Sequence, residues 1–279
     1  MSRPDLVRGG SIVFNPAPWC ALCFPAHMTT PSRRTFIHAL ATTTLAALAS
    51  PGAIQAQTST PTSPNPAPPA AAQTPGKRTV GIVLFEGFQC LDVFGPLEML
   101  SMVRDRFTFV MLAEKTGPIR SGQGPVVIAD RTLADPGEID ILIVPGGMGT
   151  RREVNNPALI SALNALAQAT PHVTSVCTGS ALLARTGLLD GKPATSNKRA
   201  YAWATSQGPA VAWVAEARWV ETGKYFTSSG ISAGMDMALG LIERLFDRAT
   251  AEKAAQSAEY EWHSDSHRDP FAKLNGLVP

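Results

Sequence analysis

One cysteine in this chain stands where a nucleophile would stand. Ser175-Val176-Cys177-Thr178-Gly179 joins an apolar run to the small residues Ser180-Ala181-Leu182-Leu183-Ala184. This is a nucleophile-elbow pattern with cysteine in the central place, since small flanking residues permit the sharp turn that exposes the central side chain at the carboxyl end of a sheet. A helix starting there presents free N–H groups and a positive dipole end, which favour thiolate. A structural cysteine closing a strand is the competing reading, because free cysteine is among the most buried residue types. Charge developing at such a centre needs two backbone donors. The N–H of Thr178 is one candidate, and Gly147, in Pro145-Gly146-Gly147 at the end of a neighbouring strand, is the other.

A thiol also needs a proton partner, usually histidine. Of the five histidines, His27 and His38 fall in the leader, and His172 precedes Cys177 by five residues on one strand. At ~3.3 Å per residue that is about 16 Å, too far for a base. His263 and His267 have i, i+4 spacing in a polar tail. They suit a metal only if the tail is helical and a third ligand joins them. The sequence therefore implies neither a metal nor an organic cofactor, and a Cys-His triad has little support. A carboxylate is the other source. Asp92, in Gln89-Cys90-Leu91-Asp92-Val93-Phe94-Gly95-Pro96, follows the first strand and should emerge at the same sheet edge as Cys177. Apolar neighbours would raise its pKa, keeping it protonated and able to donate to a thiolate. Capping a helix that begins near Pro96 is the structural alternative, and the two roles are compatible.

These residues need a sheet to position them. Residues 79–85 and 139–144 read as buried parallel strands, with further strands at 107–113 and 173–177. Helical spacing appears over 96–103 and 157–169, and residues 119–133 alternate as a hairpin or edge excursion. Strands are also expected at 212–220 and 225–228, followed by a helix from Ser232 to about Phe246 and a shorter one over 250–260. Alternating strands and helices imply a right-handed, mainly parallel α/β sheet.

The remaining chain is organised around delivery. Residues 57–76 hold six prolines, six Ser/Thr and no charge, the composition of an extended tether. Ahead of it, Arg33-Arg34 precede a charge-free run of 11 residues, 39–49, and small residues permit cleavage after Ala56. That order reads as a signal peptide and resembles the twin-arginine type, a low-complexity N-terminus with two adjacent arginines being the alternative, and the run falls short of the roughly 20 residues that cross a bilayer. The expected organisation is a 1–56 extension with signal, the 57–76 linker and one domain over 77–279, exported to the periplasm without stable membrane insertion after cleavage. Met28 is an alternative start, and Cys20 and Cys23 have no second pair to complete a zinc site. The domain carries 20 basic and 21 acidic side chains, which gives no footprint for nucleic acid. Its two cysteines, Cys90 and Cys177, cannot form a disulfide scaffold. A Cys90–Cys177 bridge requires Cα atoms roughly 4.4–6.8 Å apart, and an unpaired Cys90 is the plainer reading.

Taken together, residues 83–88, Leu91-Asp92-Val93-Phe94-Gly95-Pro96, Val144-Pro145-Gly146-Gly147, Val176-Cys177-Thr178-Gly179 and Gly187-Leu188-Leu189-Asp190-Gly191 resemble the ThiJ/PfpI superfamily of class I glutamine amidotransferase-like proteins. Within it, the Leu-Asp and Cys-Thr-Gly combination is similar to isonitrile hydratases and to the ligand-like domain of some AraC-type regulators. The resemblance implies a flavodoxin-like three-layer sandwich, a homodimer with the elbow cysteine near the interface, and a catalytic set falling on Cys177, Thr178 and Asp92. It also implies a small-molecule substrate: an isonitrile hydrated to an N-substituted formamide. Two departures stand out. Ser196-Asn197-Lys198-Arg199 lacks the histidine those relatives carry, and Thr178 replaces the histidine that follows the nucleophile in the peptidase branch, which argues against proteolysis. No helix-turn-helix segment follows residue 260, which with export argues against transcriptional control. A thiol sensor or small-ligand binder, and a hydrolase or lyase of reactive aldehydes, are the alternatives.

Overall fold

The structure, a computed structural model, describes residues 76–279. The signal, Cys20, Cys23 and the rest of the tether lie outside the described residues. In chain order the elements are β1 (Arg78–Val83), α1 (Cys90–Ser101), β2 (Phe107–Ala113), β3 (Gly117–Arg120), β4 (Val126–Ala129), β5 (Arg131–Thr132) and β6 (Ile141–Val144). They continue with α2 (Thr150–Glu153), α3 (Pro157–Ala169), β7 (His172–Ser175), α4 (Gly179–Arg185), β8 (Pro193–Ala194), α5 (Tyr201–Ser206) and β9 (Ala212–Trp213). β10 (Trp219–Thr222), β11 (Tyr225–Ser228), α6 (Ala233–Leu245), α7 (Arg248–Ser257) and α8 (Pro270–Leu274) complete the domain.

The main sheet runs β10-β11-β7-β6-β1-β2-β5. All its pairs are parallel except β10 with β11. Without the edge strands this is the order 2-1-3-4-5 of a flavodoxin-like sheet, which reverses direction between β1 and β6 and opens a crevice at their carboxyl ends. Right-handed crossovers then send α1 to one face and α3 to the other, and α1, α6 and α7 pack together on theirs. Ile141, Leu142, Ile143 and Val144 are all buried, as both-face coverage demands. The parallel α/β expectation and the flavodoxin-like fold both hold.

Two local expectations change. α1 begins at Cys90 rather than near Pro96, so Pro96 lies inside the helix. Proline there has no N–H for the Asp92 carbonyl, and its ring packs on α6, where a Cβ on Gly234 would stand 3.3 Å from Pro96 Cγ. The expected strand over 212–220 divides into β9 and β10. The chain bends between them, and Arg218, just before β10, turns its side chain into a buried ion pair with Asp236. Residues 260–265 are not helical, so His263 and His267 do not share a helix face. The hairpin reading of 119–133 holds as antiparallel β3 and β4, outside the main sheet.

Candidate active site

The chain leaves β1, β6, β7 and β11 at one edge, and each exit supplies a wall of the site. After β7, Cys177 adopts φ 59°, a left-handed conformation that an ordinary side chain occupies only when its surroundings over-determine it. The surroundings do so. Its N–H donates to the Ser229 carbonyl at 3.0 Å. Its own carbonyl accepts the hydroxyls of Ser180 and Ser196, each at 3.1 Å. A side chain at Gly179 would collide with the Val144 carbonyl, so the elbow can close only on glycine.

The sulfur faces three donors. The amide Nδ2 of Asn197 lies 3.1 Å from Sγ. That amide is oriented by its other end, since Oδ1 accepts the Ala200 N–H at 2.9 Å. The backbone N–H groups of Thr178 and Ile231 are also near enough to favour the charged form of the sulfur. Ile231 has φ 45°, unusual for a β-branched residue, so two strained backbones converge on one thiol.

Asp92 lies beside it on α1, fully buried. It does not cap the helix, whose N-cap is Gln89. Oδ2 accepts the Gly146 N–H at 2.8 Å, while Oδ1 has no hydrogen-bond partner. Burial pushes the carboxyl from its ordinary value up to about 7, with the Gly146 N–H and the Cys177 thiol pulling partly back. The thiol is pushed up to about 12, by burial first and the Asp92 charge second. The dipole expectation of a resting thiolate is therefore corrected. α4 is short, and desolvation beside a carboxylate outweighs its dipole and the three donors. At neutral pH the pair holds a thiol and a half-ionised acid.

Gly147 is a second correction. At φ 122° its N–H donates to the Thr178 hydroxyl at 3.1 Å rather than facing the cleft, so the second backbone donor at the sulfur is Ile231. The Thr178 hydroxyl also meets that of Thr150 at 3.1 Å, which fixes the β6 exit to the elbow. His172 opens β7, at the strand's far end from Cys177. Cys90 and Cys177 are both free thiols. Among the described residues no three His, Cys, Asp or Glu side chains gather as a metal site. A cleft of about 630 Å³ opens over Cys177, bounded by Gln89, Met148, Arg151, Arg199, Trp203 and Ile231.

Asp92, Cys177 and Thr178 are thus brought together as the motifs suggested, and Gly147 lines the same cleft with its N–H turned to Thr178 Oγ1. Sequence reasoning missed Asn197 as a sulfur ligand and Ile231 altogether. The run 196–199 drew attention only as a missing histidine, and nothing in Ser229-Gly230-Ile231 marks a donor before β11 is placed beside β7.

Comparison with known proteins gives the same frame. The model of the DJ-1/PfpI family matches residues 78–244. The isonitrile hydratase of Pseudomonas putida is 32% identical over 181 residues, 65% of this chain and 78% of that protein. The HTH-type transcriptional regulator GbdR of Pseudomonas aeruginosa is 28% identical over 218 residues, 75% of this chain and 59% of the regulator. Among solved structures, a ThiJ/PfpI family protein from Pseudomonas syringae superposes with a TM-score of 0.62 at 24% identity, covering 76% of this chain and 92% of that one. Drosophila melanogaster DJ-1beta gives 0.59 at 17%, covering 67% and 100%. Both superpositions speak to the fold.

Proposed function

The chain belongs to the DJ-1/PfpI family, and on that premise we propose that it is a cysteine-dependent hydratase converting an isonitrile to an N-substituted formamide. One observation carries the reading: an under-bonded buried acid stands beside a buried thiol beneath an open cleft. Asp92 takes the Cys177 proton as sulfur adds to the terminal isonitrile carbon, then returns it to that carbon, leaving a thioimidate. As base again, Asp92 directs water onto the same carbon. The carbon–sulfur bond breaks, nitrogen gains a proton, the thiol is restored and the formamide leaves. The N–H groups of Thr178 and Ile231 and the Asn197 amide hold the sulfur as its charge grows. The raised thiol pKa suits this order, because a neutral nucleophile is deprotonated only as it reacts. The likeness to the Pseudomonas putida hydratase supports the substrate class.

A second reading, a thiol sensor or ligand binder without turnover, draws on the likeness to a regulator and on a thiol held protonated at rest. Formamide release from an alkyl isonitrile by the purified protein separates them. Turnover lost in Cys177→Ala supports the hydratase, and tight binding without product supports the binder. The proposed setting is the periplasm, reached through the 1–56 leader, with the domain acting as a homodimer. Arg33→Lys with Arg34→Lys should leave the protein in the cytoplasm, and unchanged periplasmic yield would contradict that route.

A further inference from the structure

Two adjoining clefts carry charge of a single sign. The one over Cys177 is lined by Arg151 and Arg199 and by no carboxylate. The second, about 340 Å³, shares Asn197, Arg199 and Ile231 with it and adds Lys198, again without a carboxylate. The domain as a whole is close to neutral, so this grouping is local. Lys198 is committed, its Nζ donating to Thr195 Oγ1 at 2.7 Å and to the Ala217 carbonyl at 2.6 Å.

The two arginines are not committed in that way. Arg199 is exposed and has no hydrogen bond or ion pair among the described residues. Arg151 lies with its guanidinium 4.0 Å from the Trp203 ring centroid. All its polar contacts come from Nη1: the Gly147 carbonyl at 3.2 Å, Thr150 Oγ1 at 3.1 Å and Thr178 Oγ1 at 3.5 Å. Among the described residues Nε and Nη2 have no partner, which leaves a flat, pre-set two-donor edge beside the elbow, matched to a carboxylate. The negative group nearby, Asp92, is sealed beneath the floor of the cleft.

We propose that the cleft selects substrates bearing a carboxylate, which Arg151 and Arg199 hold while the reactive carbon meets Cys177. This rests on the reading of Cys177 as the nucleophile and names the substrate class it serves. The probes are iodoacetate and iodoacetamide, which alkylate by the same step: the sulfur–carbon bond forms, iodide leaves and the thiol proton passes to Asp92. Labelling of the Cys177 peptide is followed by mass spectrometry on the full chain, so that Cys90 does not contribute. Wild type should react with iodoacetate faster than with iodoacetamide, and saturably. The iodoacetate-to-iodoacetamide ratio should fall about ten-fold or more in Arg151→Gln with Arg199→Gln, the worth of a charge-assisted hydrogen bond. Preference for iodoacetamide with an unchanged ratio overturns the proposal, as does failure of either reagent to reach Cys177. In parallel, kcat/KM for 4-isocyanobutanoate should exceed that for its methyl ester, with the difference in KM. If neither isonitrile turns over while the alkylation ratio behaves as expected, the hydratase reading fails and the carboxylate subsite stands.

Discussion

Asp92 and Asp236 are equally buried, both with no exposed surface, and they are used in opposite ways. Asp236, on α6, is saturated. Its Oδ2 accepts Arg218 Nε at 2.7 Å and Nη2 at 2.6 Å, and its Oδ1 accepts the Tyr260 hydroxyl and the His263 N–H, each at 3.0 Å. Arg218 also reaches Asp269 at 3.6 Å, and its N–H donates to the Ser266 carbonyl, so the cluster fastens residues 260–269 to the sheet. Asp92 has one hydrogen bond and one bare oxygen. Burial alone therefore does not make a carboxyl reactive; what matters is how much of the desolvation cost its partners return. The regions are also linked. Ser229 donates its N–H to the Arg218 carbonyl at 2.8 Å and accepts that of Cys177 at 3.0 Å, so the saturated cluster sets the loop on which the strained elbow leans.

The sharpest test of the contrast is to remove one charge from each. Asp92→Asn should lower kcat/KM for an isonitrile by about 10²–10⁴, the usual worth of a positioned acid–base group, while thermal unfolding shows a native fold no less stable than wild type. If turnover stays near wild type, Asp92 is structural and the mechanism above is wrong. Asp236→Asn reverses the pattern. It removes the closer of the two carboxylates that neutralise buried Arg218, leaving Asp269 at 3.6 Å, so denaturant unfolding should show a loss of about 3–5 kcal/mol. An equal loss in both variants would erase the distinction.

A second test of Asp92 is read by pH. Unfolded, Asp92 titrates near 3.8, and folded near 7. Between those values the native state keeps a proton that the unfolded chain has released. Stability therefore falls as pH rises through this window, by up to about 1.4 kcal/mol per unit. The stabilising contribution is complete below the lower value and gone above the higher. Asp92→Asn lacks this slope, so its advantage over wild type in urea midpoints should grow from pH 4 to 7 and then level off. In the same range wild-type kcat/KM should rise as the base ionises, whereas the variant's profile stays flat. A parallel pH profile in the two proteins would place the titration elsewhere.

What could be read from the sequence follows the reach of each signal. Buried runs such as residues 141–144, the small-residue elbow and the Asn156-capped helix α3 are encoded by near neighbours, and they emerged almost at their observed limits. The meeting of Asp92 with Cys177 was inferable because parallel strands deliver their exits to one edge. The start of α1 was misplaced because Pro96 looked like a helix opening, and the α6 face its ring packs on, at Gly234, lies 138 residues further along the chain. The resting thiol, the diverted Gly147 N–H and the donor role of Ile231 likewise depend on contacts between distant exits, which no local pattern records.

The smallest expected effect tests the link between the regions at the sulfur itself. Asn197 is one donor among three, neutral and bonded to a weak sulfur acceptor, so Asn197→Ala should cost kcat/KM no more than about ten-fold, the worth of one ordinary hydrogen bond. Its stability effect should be small too, because only the Ala200 N–H loses a partner near the surface of α5. Gly230→Ala reaches the same bond from the other side. A Cβ at Gly230 would overlap Asn197 Nδ2, displacing the amide from Sγ without altering its chemistry. If the Asn197 amide steadies the sulfur, the two single variants should lose similar activity, and combining them should cost little beyond either alone. Strict additivity would mean that Gly230 acts through the neighbouring Ile231 N–H instead, and would move the stabilisation of the sulfur from the side chain after β8 to the loop after β11.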